Sequence, residues 1–234
     1  MSESNILIVG ASKGIGLELT RQLQAKGLRV YGIARQESED LKKLGIPCLY
    51  IDMESESPSP ESLPDKLSGV VYCPGTITLK PFSSLRPEHF LSDFQINVLG
   101  AVRILQAAAP ALKRGKPSSV VLFSTVAVSQ GLPYHASIAA AKGALEALTR
   151  SLASEWAPDI RVNCIAPSLT QTSLTSKILA TEEKIQQAAQ RHPLKRIGKP
   201  ADIAHTAAFL LSPESGWISG QVIGVDGGLS TLRP

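Results

Sequence analysis

The chain has 234 residues, of which 43 % are hydrophobic, and a formal net charge of +4 at pH 7. A chain of this length buries one sizeable core, and we predict a single domain over residues 1–234. The densest basic cluster, residues 113–116, is interpreted as the C-terminus of a helix, where cations suit the helix dipole, so no nucleic-acid partner is expected.

Cysteine use and hydropathy predict the compartment. Cys48, Cys73 and Cys164 lie in or beside predicted strands without paired spacing, which favours buried reduced thiols in a cytoplasmic protein. No apolar stretch reaches the roughly 18 residues of a membrane span, and the N-terminal residues run directly into a strand. We therefore predict a cytoplasmic location without a signal peptide, a membrane partner or a metal site.

The first elements surround a glycine-rich turn. The apolar run 6–9 predicts a buried parallel strand, and Gly10, Gly14 and Gly16 follow it at the spacing G-x-x-x-G-x-G. Leucines at helical spacing then predict a helix that ends at Gly27. Strand, glycine turn and helix in this order are typical of a dinucleotide phosphate site, because glycine lets the backbone approach the pyrophosphate and free helix N–H groups bind its charge.

The rest of the chain alternates between strand and helix patterns. Strands are predicted at 29–34, 45–51, 69–73, 119–124, 160–165 and 220–225. Helices are predicted at 87–112, 136–156, 172–191 and 200–211. The Ser/Pro-rich stretch 55–64 is too punctuated for a long helix. This alternation predicts an α/β fold, a Rossmann-type doubly wound parallel sheet with helices on both faces.

Motifs along the whole chain resemble the short-chain dehydrogenase/reductase family. They are the glycine turn, Asp52 after the third strand, Asn97 in Ile-Asn-Val-Leu-Gly, Ser124-Thr125 after the fifth strand, Lys142 in Ala-Ala-Lys-Gly-Ala-Leu, and the segments 161–167, 196–204 and 220–228. In order and at this spacing they are highly specific. The resemblance implies a nicotinamide dinucleotide and hydride transfer at an alcohol or carbonyl.

The end of the second strand predicts the form of the dinucleotide. An acidic residue there would bind the ribose 2′-hydroxyl of NAD, but the chain has Ala34 and Arg35. Arg35 and Lys13 predict NADP(H), because a guanidinium fork matches phosphate oxygens; the alternative is that both are solvated surface charges. By resemblance Asp52 contacts the adenine, or it only caps the strand end.

The resemblance also places further cofactor contacts. They are Ser12, Gly14, Ile15, Met53, Cys73, Pro74, Gly75, Asn97, Lys142, Pro167, Leu169, Thr170 and Thr172.

One element of the family's catalytic set is missing. The resemblance implies a Tyr four residues before the Lys, one helical turn away on the same face. That position holds Ile138, which cannot donate a proton. The family's Ser falls on Thr125, with Ser124 adjacent, and a threonine hydroxyl donates the same hydrogen bond to a carbonyl oxygen.

Three nearby side chains could replace the acid. Tyr134 follows Gly131 and Pro133, which predict a loop that could turn the phenol toward the substrate. His135 is a second candidate because imidazole is a common general acid, although a histidine at a helix start commonly bonds to backbone. Ser137 is interpreted as the N-cap or first-turn residue of the helix.

The sequence therefore predicts an NADP(H)-dependent oxidoreductase acting on a small hydrophobic carbonyl or alcohol. Lys142 would bind the ribose hydroxyls, Asn97 would hold a water and backbone relay, Thr125 or Ser124 would orient the substrate oxygen, and Tyr134 or a water would supply the proton. The alternatives are an NADP(H)-binding sensor or inactive partner subunit without turnover, and a reductase of an activated double bond. Fold alone does not choose among them.

Two helices carry small residues on one face, which permits close approach of a second helix. On the helix at 136–156 these are Ala136, Ala140, Gly143, Ala147 and Ser151; on the helix before it they are Gly100, Ala101, Ala107 and Ala108. With the resemblance, this predicts a homodimer or homotetramer through these helices. The alternative is that the small residues pack on the chain's own sheet.

Overall fold

The computed structural model describes residues 4–232. Its strands are β1 (Asn5–Val9), β2 (Arg29–Ala34), β3 (Cys48–Tyr50), β4 (Gly69–Tyr72), β5 (Ser118–Phe123), β6 (Ile160–Pro167) and β7 (Val222–Val225). Its α-helices are α1 (Gly14–Ala25), α2 (Glu39–Leu44), α3 (Pro87–Phe94), α4 (Gly100–Arg114), α5 (Ala127–Gln130), α6 (Ala136–Trp156), α7 (Glu182–Gln190) and α8 (Pro200–Leu211).

The strands form one parallel sheet in the order β3-β2-β1-β4-β5-β6-β7. The chain leaves β1 toward β2 and β3 on one side, then crosses back to β4 on the other side. This reversal lies between β1 and β4, and a crevice opens there at the carboxyl ends of the strands. The predicted fold class is confirmed.

Two separate layers of apolar side chains cover the sheet. One buried cluster includes residues of β1, α4 and α6, and the other includes residues of β1, α1 and α8. Strands β4 and β5 are buried along their whole length, as expected for strands covered on both faces. None of the helices in the described part of the chain combines the length and apolarity that crossing a membrane requires.

Some predicted helices differ from those observed. The predicted helix at 172–191 is broken: Ser173–Thr175 is a short 3-10 turn, and the α-helix begins only after Thr181, whose side chain caps Lys184 N–H. The hydroxyl of Thr175 instead bonds backbone carbonyls nearby, including that of Thr172 at 3.1 Å. Threonines that bond their own backbone favour turns over helix, which explains the break.

The predicted helix at 87–112 contains a wide turn. Residues Gln95–Leu99 form a π-helical turn between α3 and α4. The buried hydroxyl of Tyr72, at the end of β4, donates a 2.6 Å hydrogen bond to the carbonyl of Ile96 in this turn. A single π-turn inside a helix is frequent at functional sites, and this one contains Asn97.

The small residues of the two helices have different surroundings. Gly100, Ala101, Ala107 and Ala108 on α4 are buried within the chain, in agreement with the alternative that they pack on its own sheet. A side chain at Gly100 would collide with the hydroxyl of Tyr72. On α6, in contrast, Ala136, Ala140, Ala147 and Ser151 are exposed.

Candidate active site

The glycine turn joins β1 to α1 in a conformation that requires glycine at two of its positions. Gly10 has φ +80 and Gly14 has φ +55, which is left-handed backbone. Gly16 allows close approach, because a Cβ at this residue would collide with the carbonyl oxygen of Gly10. The N–H groups of the first turn of α1, those of Gly14, Ile15 and Gly16, have no intrahelical acceptor. The turn therefore presents backbone donors to an anion.

A cavity of about 400 Å³ opens over this turn. Ser12, Lys13 and Gly14 form one wall, and Gln171 and Thr172 form the opposite wall. The methyl group of Thr172 lies 3.4 Å from the position that a Cβ on Gly14 would take. The structure thus brings together predicted cofactor contacts that lie far apart in the sequence.

Other predicted cofactor residues border the same edge of the sheet. Cys73 and Pro74, after β4, lie 3.2–3.3 Å from the position of a Cβ on Gly10. Arg35 follows β2 and is exposed, as is Lys13. Asp52 follows β3, and its Oδ1 accepts from the N–H of Glu54 at 3.0 Å, so its carboxylate does shape the local turn.

The residue that follows Asp52 and the segment that follows β6 are less accessible. Met53 is buried, and its carbonyl accepts a hydrogen bond from Arg103. On the far side of the crevice, Pro167 ends β6, Leu169 bonds Gly198 through its carbonyl, and Thr170 pairs with Gly198 in an isolated parallel bridge. The segment after β6 is thereby tied to the chain just before α8.

Lys142 is a buried cation at the end of β5. It is 7 % exposed, and its Nζ donates a 2.8 Å hydrogen bond to the carbonyl of Phe123, the last residue of that strand. Burial lowers the pKa of Lys142 to about 8, because the charged form loses its hydration; nearby Cys164, Cys73 and Asp93 act in the opposite direction.

Gly75, in the loop after β4, lies next to both Lys142 and Asn97. A Cβ on Gly75 would lie 3.1 Å from Asn97 Oδ1 and 3.5 Å from Lys142 Nζ, so both atoms border this glycine. Asn97 is fully buried, yet its Oδ1 has no hydrogen-bond partner. A buried acceptor without a donor is costly, and a hydroxyl supplied by a ligand or water would satisfy it. The residues present therefore fit a polyhydroxylated group such as a ribose.

The two hydroxyl residues after β5 have different partners. Ser124 is buried and donates a 2.6 Å hydrogen bond to Glu146 on α6. Thr125 is only partly buried, and its Oγ1 accepts from the N–H of Ala127 at 3.3 Å, which leaves its own hydrogen available. Of the pair, Thr125 is the residue with a free donor for a substrate oxygen.

The residues considered as replacement acids lie at the start of α6. Ile138 is 3 % exposed and packs inside the protein. Tyr134 is 58 % exposed and has φ 68, and its carbonyl accepts from the N–H of Lys80 in the loop after β4. His135 bonds the carbonyl of Pro133 through Nδ1. Buried Ser137 donates to Asp93 Oδ2 at 2.7 Å.

Sequence reasoning missed a polar cluster beside Lys142. It contains Asp93, Thr76 and Thr78, which meet Ser137 and Asn97. The available signal was an acidic residue one helical turn before Asn97 within an amphipathic helix, where it falls on the same face. A second missed contact joins Ser168, after β6, to His192 Nε2 at 2.8 Å.

Comparisons with known proteins agree with this geometry. Residues 10–230 match the family model described as Enoyl-(Acyl carrier protein) reductase. A tropinone reductase homolog from Arabidopsis thaliana is 35 % identical over 242 residues, covering 97 % of this chain and 92 % of that protein. A short-chain type dehydrogenase/reductase from Mycobacterium ulcerans superposes with a TM-score of 0.89 at 28 % identity, over 99 % of this chain and 91 % of the other.

A third similarity is to an actinorhodin polyketide ketoreductase solved with NADPH, with a TM-score of 0.88, 27 % identity and 98 % coverage of both chains. The fold and the glycine turn define a Rossmann-type scaffold. The chain belongs to the short-chain dehydrogenase/reductase family.

The close approach at the glycine turn gives a first prediction. Gly16→Ala should weaken dinucleotide binding at least about tenfold, because the new Cβ forces the Gly10 carbonyl and the start of α1 apart. Gly45→Ala is the matched control: it strains a left-handed helix end at φ +62 with nothing within 4 Å, and it should cost stability but not affinity. Fluorescence titration with unfolding curves separates the two effects; unchanged affinity in Gly16→Ala would contradict the assignment.

Proposed function

We propose that this protein is an NADP(H)-dependent oxidoreductase, a single domain over residues 1–234 that transfers a hydride to or from a small hydrophobic carbonyl or alcohol. The observation that carries the proposal is the buried Lys142 ammonium beside the unpartnered Asn97 Oδ1, at the same edge of the sheet as the glycine turn. The dinucleotide supplies the hydride chemistry when it is bound.

Different residues of the chain would bind different parts of the dinucleotide. The glycine turn with Ser12 would hold the pyrophosphate, Asp52 would contact the adenine, and Lys142 with Asn97 would take the ribose hydroxyls next to the reacting ring. Arg35 and Lys13 would pair with the 2′-phosphate, since both are exposed cations: Lys13 lines the cavity over the turn, and Arg35 follows the neighbouring strand β2. The similarity to a ketoreductase solved with NADPH supports this form of the cofactor.

At the substrate, Thr125 donates a hydrogen bond to the reacting oxygen and so orients it. Tyr134 supplies the proton in carbonyl reduction and takes it back in alcohol oxidation. This role is supported by its exposed phenol and its left-handed backbone, which is strained in a residue other than glycine and is concentrated at functional sites in proteins. Leu79, exposed in the loop after β4, and Leu132, exposed between α5 and α6, favour an apolar substrate.

The cofactor assignment is tested at Arg35. Arg35→Ala should weaken NADPH binding about ten- to a hundredfold through loss of one charge-assisted contact, and should leave NADH binding unchanged. Lys26→Ala, at the opposite end of α1, is the matched control because it removes an exposed cation far from the turn. Equal affinity for both nucleotides, unaltered in Arg35→Ala, would refute the NADP(H) preference.

The proton donor is tested at Tyr134. Tyr134→Phe should lower turnover about 10²–10⁴-fold, as the loss of a general acid does, with NADPH affinity intact. Tyr50→Phe removes another exposed phenol, on β3, and should change neither quantity. Unaltered turnover in Tyr134→Phe would assign the proton to water instead.

A second candidate function is an NADP(H)-binding protein without turnover, and the buried Ile138 favours it. The reverse substitution Ile138→Tyr discriminates: we expect a partial gain of ketone reduction, because Lys142 is one turn away but the phenol must displace packed atoms. A variant that folds and binds NADPH but gains nothing would show that the pocket no longer supports the family's reaction.

Assembly is the last part of the proposal. The exposed small residues of α6 and the exposed apolar side chains Leu91, Phe94 and Leu99 beside it favour a symmetric dimer or tetramer. Light scattering should give two or four times 24.9 kDa. Ala147→Arg should dissociate the assembly, whereas Ala25→Arg, at an exposed position of α1, should not. A wild-type monomer at micromolar concentration would disprove the proposed assembly.

A further inference from the structure

A carboxylate is buried close to the candidate active site without an ion-pair partner in the described part of the chain. Asp93, on α3, is 1 % exposed. Its Oδ1 accepts hydrogen bonds from Thr76 Oγ1 at 2.6 Å and Thr78 Oγ1 at 3.1 Å, and its Oδ2 accepts from Ser137 Oγ at 2.7 Å. Three hydroxyl donors orient the carboxylate but carry no positive charge, and a buried negative charge requires compensation from its surroundings.

The same cluster continues to Lys142. Asn97 donates through Nδ2 to Thr76 Oγ1 at 2.9 Å and to the carbonyl of Asp93 at 2.7 Å. The Oδ1 of Asn97 and the Nζ of Lys142 both border Gly75. Asp93 is thus joined to Asn97 by hydrogen bonds, and Asn97 and Lys142 approach each other at Gly75; Asp93 and Lys142 carry opposite charges.

We propose that Asp93 is a positioning residue of this active site: it is the buried counter-charge that keeps Lys142 in its ammonium form and, through Thr76 and Asn97, fixes the loop at Gly75 around it. The inference rests on the proposed function, because it assigns Lys142 to the cofactor ribose. Asp93 itself is held away from the reacting atoms by its three hydroxyl donors.

The other ionisable groups around Lys142 do not supply this charge. Cys73, after β4, and Cys164, on β6, act on Lys142, but burial raises the pKa of each thiol to about 12, so both are neutral at physiological pH. Glu146, one turn further along α6, accepts the hydrogen bond of Ser124. Among residues 4–232, Asp93 is the acidic side chain whose charge raises the pKa of Lys142.

These groups determine the direction in which the pKa of Lys142 changes when the Asp93 charge is removed. Burial lowers the pKa of Lys142 to about 8, and the negative charge of Asp93 opposes that fall. Removing the charge while keeping the shape takes away an acidic group that opposes the effect of burial on the pKa of Lys142. Lys142 then loses its proton at a lower pH, and the neutral amine predominates at a pH where the wild-type protein still holds an ammonium.

A lysine titration tests this without any ligand. The protein is labelled with ¹³C at lysine Cε, and the Lys142 signal is assigned by its loss in Lys142→Met. We expect a wild-type midpoint near pH 8. In Asp93→Asn we expect a midpoint about one pH unit lower, the order of shift that the loss of one nearby opposite charge produces. Asp93→Ser, which leaves room for a water among the hydroxyls, is a second neutral variant if the amide is not accommodated.

Matched controls remove hydrogen bonds and keep the charge. Ser137→Ala and Thr78→Val each delete one donor to Asp93, and both should titrate close to the wild-type midpoint. Circular dichroism establishes that each variant is folded. An unchanged Lys142 midpoint in a folded neutral variant of Asp93 would overturn the inference, as would an equal shift in the two controls.

NADPH affinity as a function of pH separates this inference from the proposed function. At pH 8 Asp93→Asn should bind NADPH about fivefold more weakly than the wild-type protein, because a one-unit shift leaves roughly a tenth of Lys142 protonated instead of half. At pH 6 the two affinities should be equal. A wild-type protein that binds no NADPH at any pH would refute the proposed function, and the ligand-free titration would still decide the role of Asp93.

Discussion

The burial of the Lys142 ammonium is the constraint on which the rest of the site depends. A lysine charge is costly to remove from water, and here it is held by one carbonyl, that of Phe123 at 2.8 Å. That carbonyl ends a strand that is buried along its whole length, and the lysine extends from a helix whose Leu145 is fully buried. The position of the cation is therefore set by the protein core and not by a mobile loop.

The strand order places the glycine turn and the loop at Gly75 on the same edge of the sheet as the residues after β5. Strand β4 lies between β1 and β5, so the glycine turn after β1, the loop at Gly75 after β4 and the residues after β5 follow one another along a single edge. The strand order reverses between β1 and β4, which opens the crevice that such sheets use for nucleotides. An elongated ligand with an anionic centre and hydroxyls at one end matches this sequence of groups.

Much of the scaffold could be predicted because its signals are local. Helix α6 has the predicted bounds, since it ends just before Pro158, and α8 begins at the predicted Pro200. The glycine turn was predicted from the spacing of its glycines together with the strand before it and the helix after it. Helix α2 was missed although Ser38 caps it and Gly45 ends it, because its six residues are too few to show a period.

The parts that could not be predicted depend on contacts distant in the sequence. Asp93 and Ser137 are 44 residues apart, and the π-turn is anchored by a tyrosine 24 residues earlier. The carboxylate of Asp93 looks like a solvated charge on an amphipathic helix until α3 packs against α6. The different hydrogen bonds of Ser124 and Thr125 likewise depend on Glu146, which accepts a hydrogen bond only from Ser124.

The central claim, that this site performs hydride chemistry with NADP(H), is tested most directly by the absorbance of the reduced nicotinamide. The purified protein is mixed with one equivalent of NADPH and a panel of ketones, quinones and enones, with Lys142→Met as the control. The account predicts loss of NADPH absorbance with an apolar ketone in the wild-type protein and none in the control. NADPH that binds but is not oxidised by any member of the panel would contradict it.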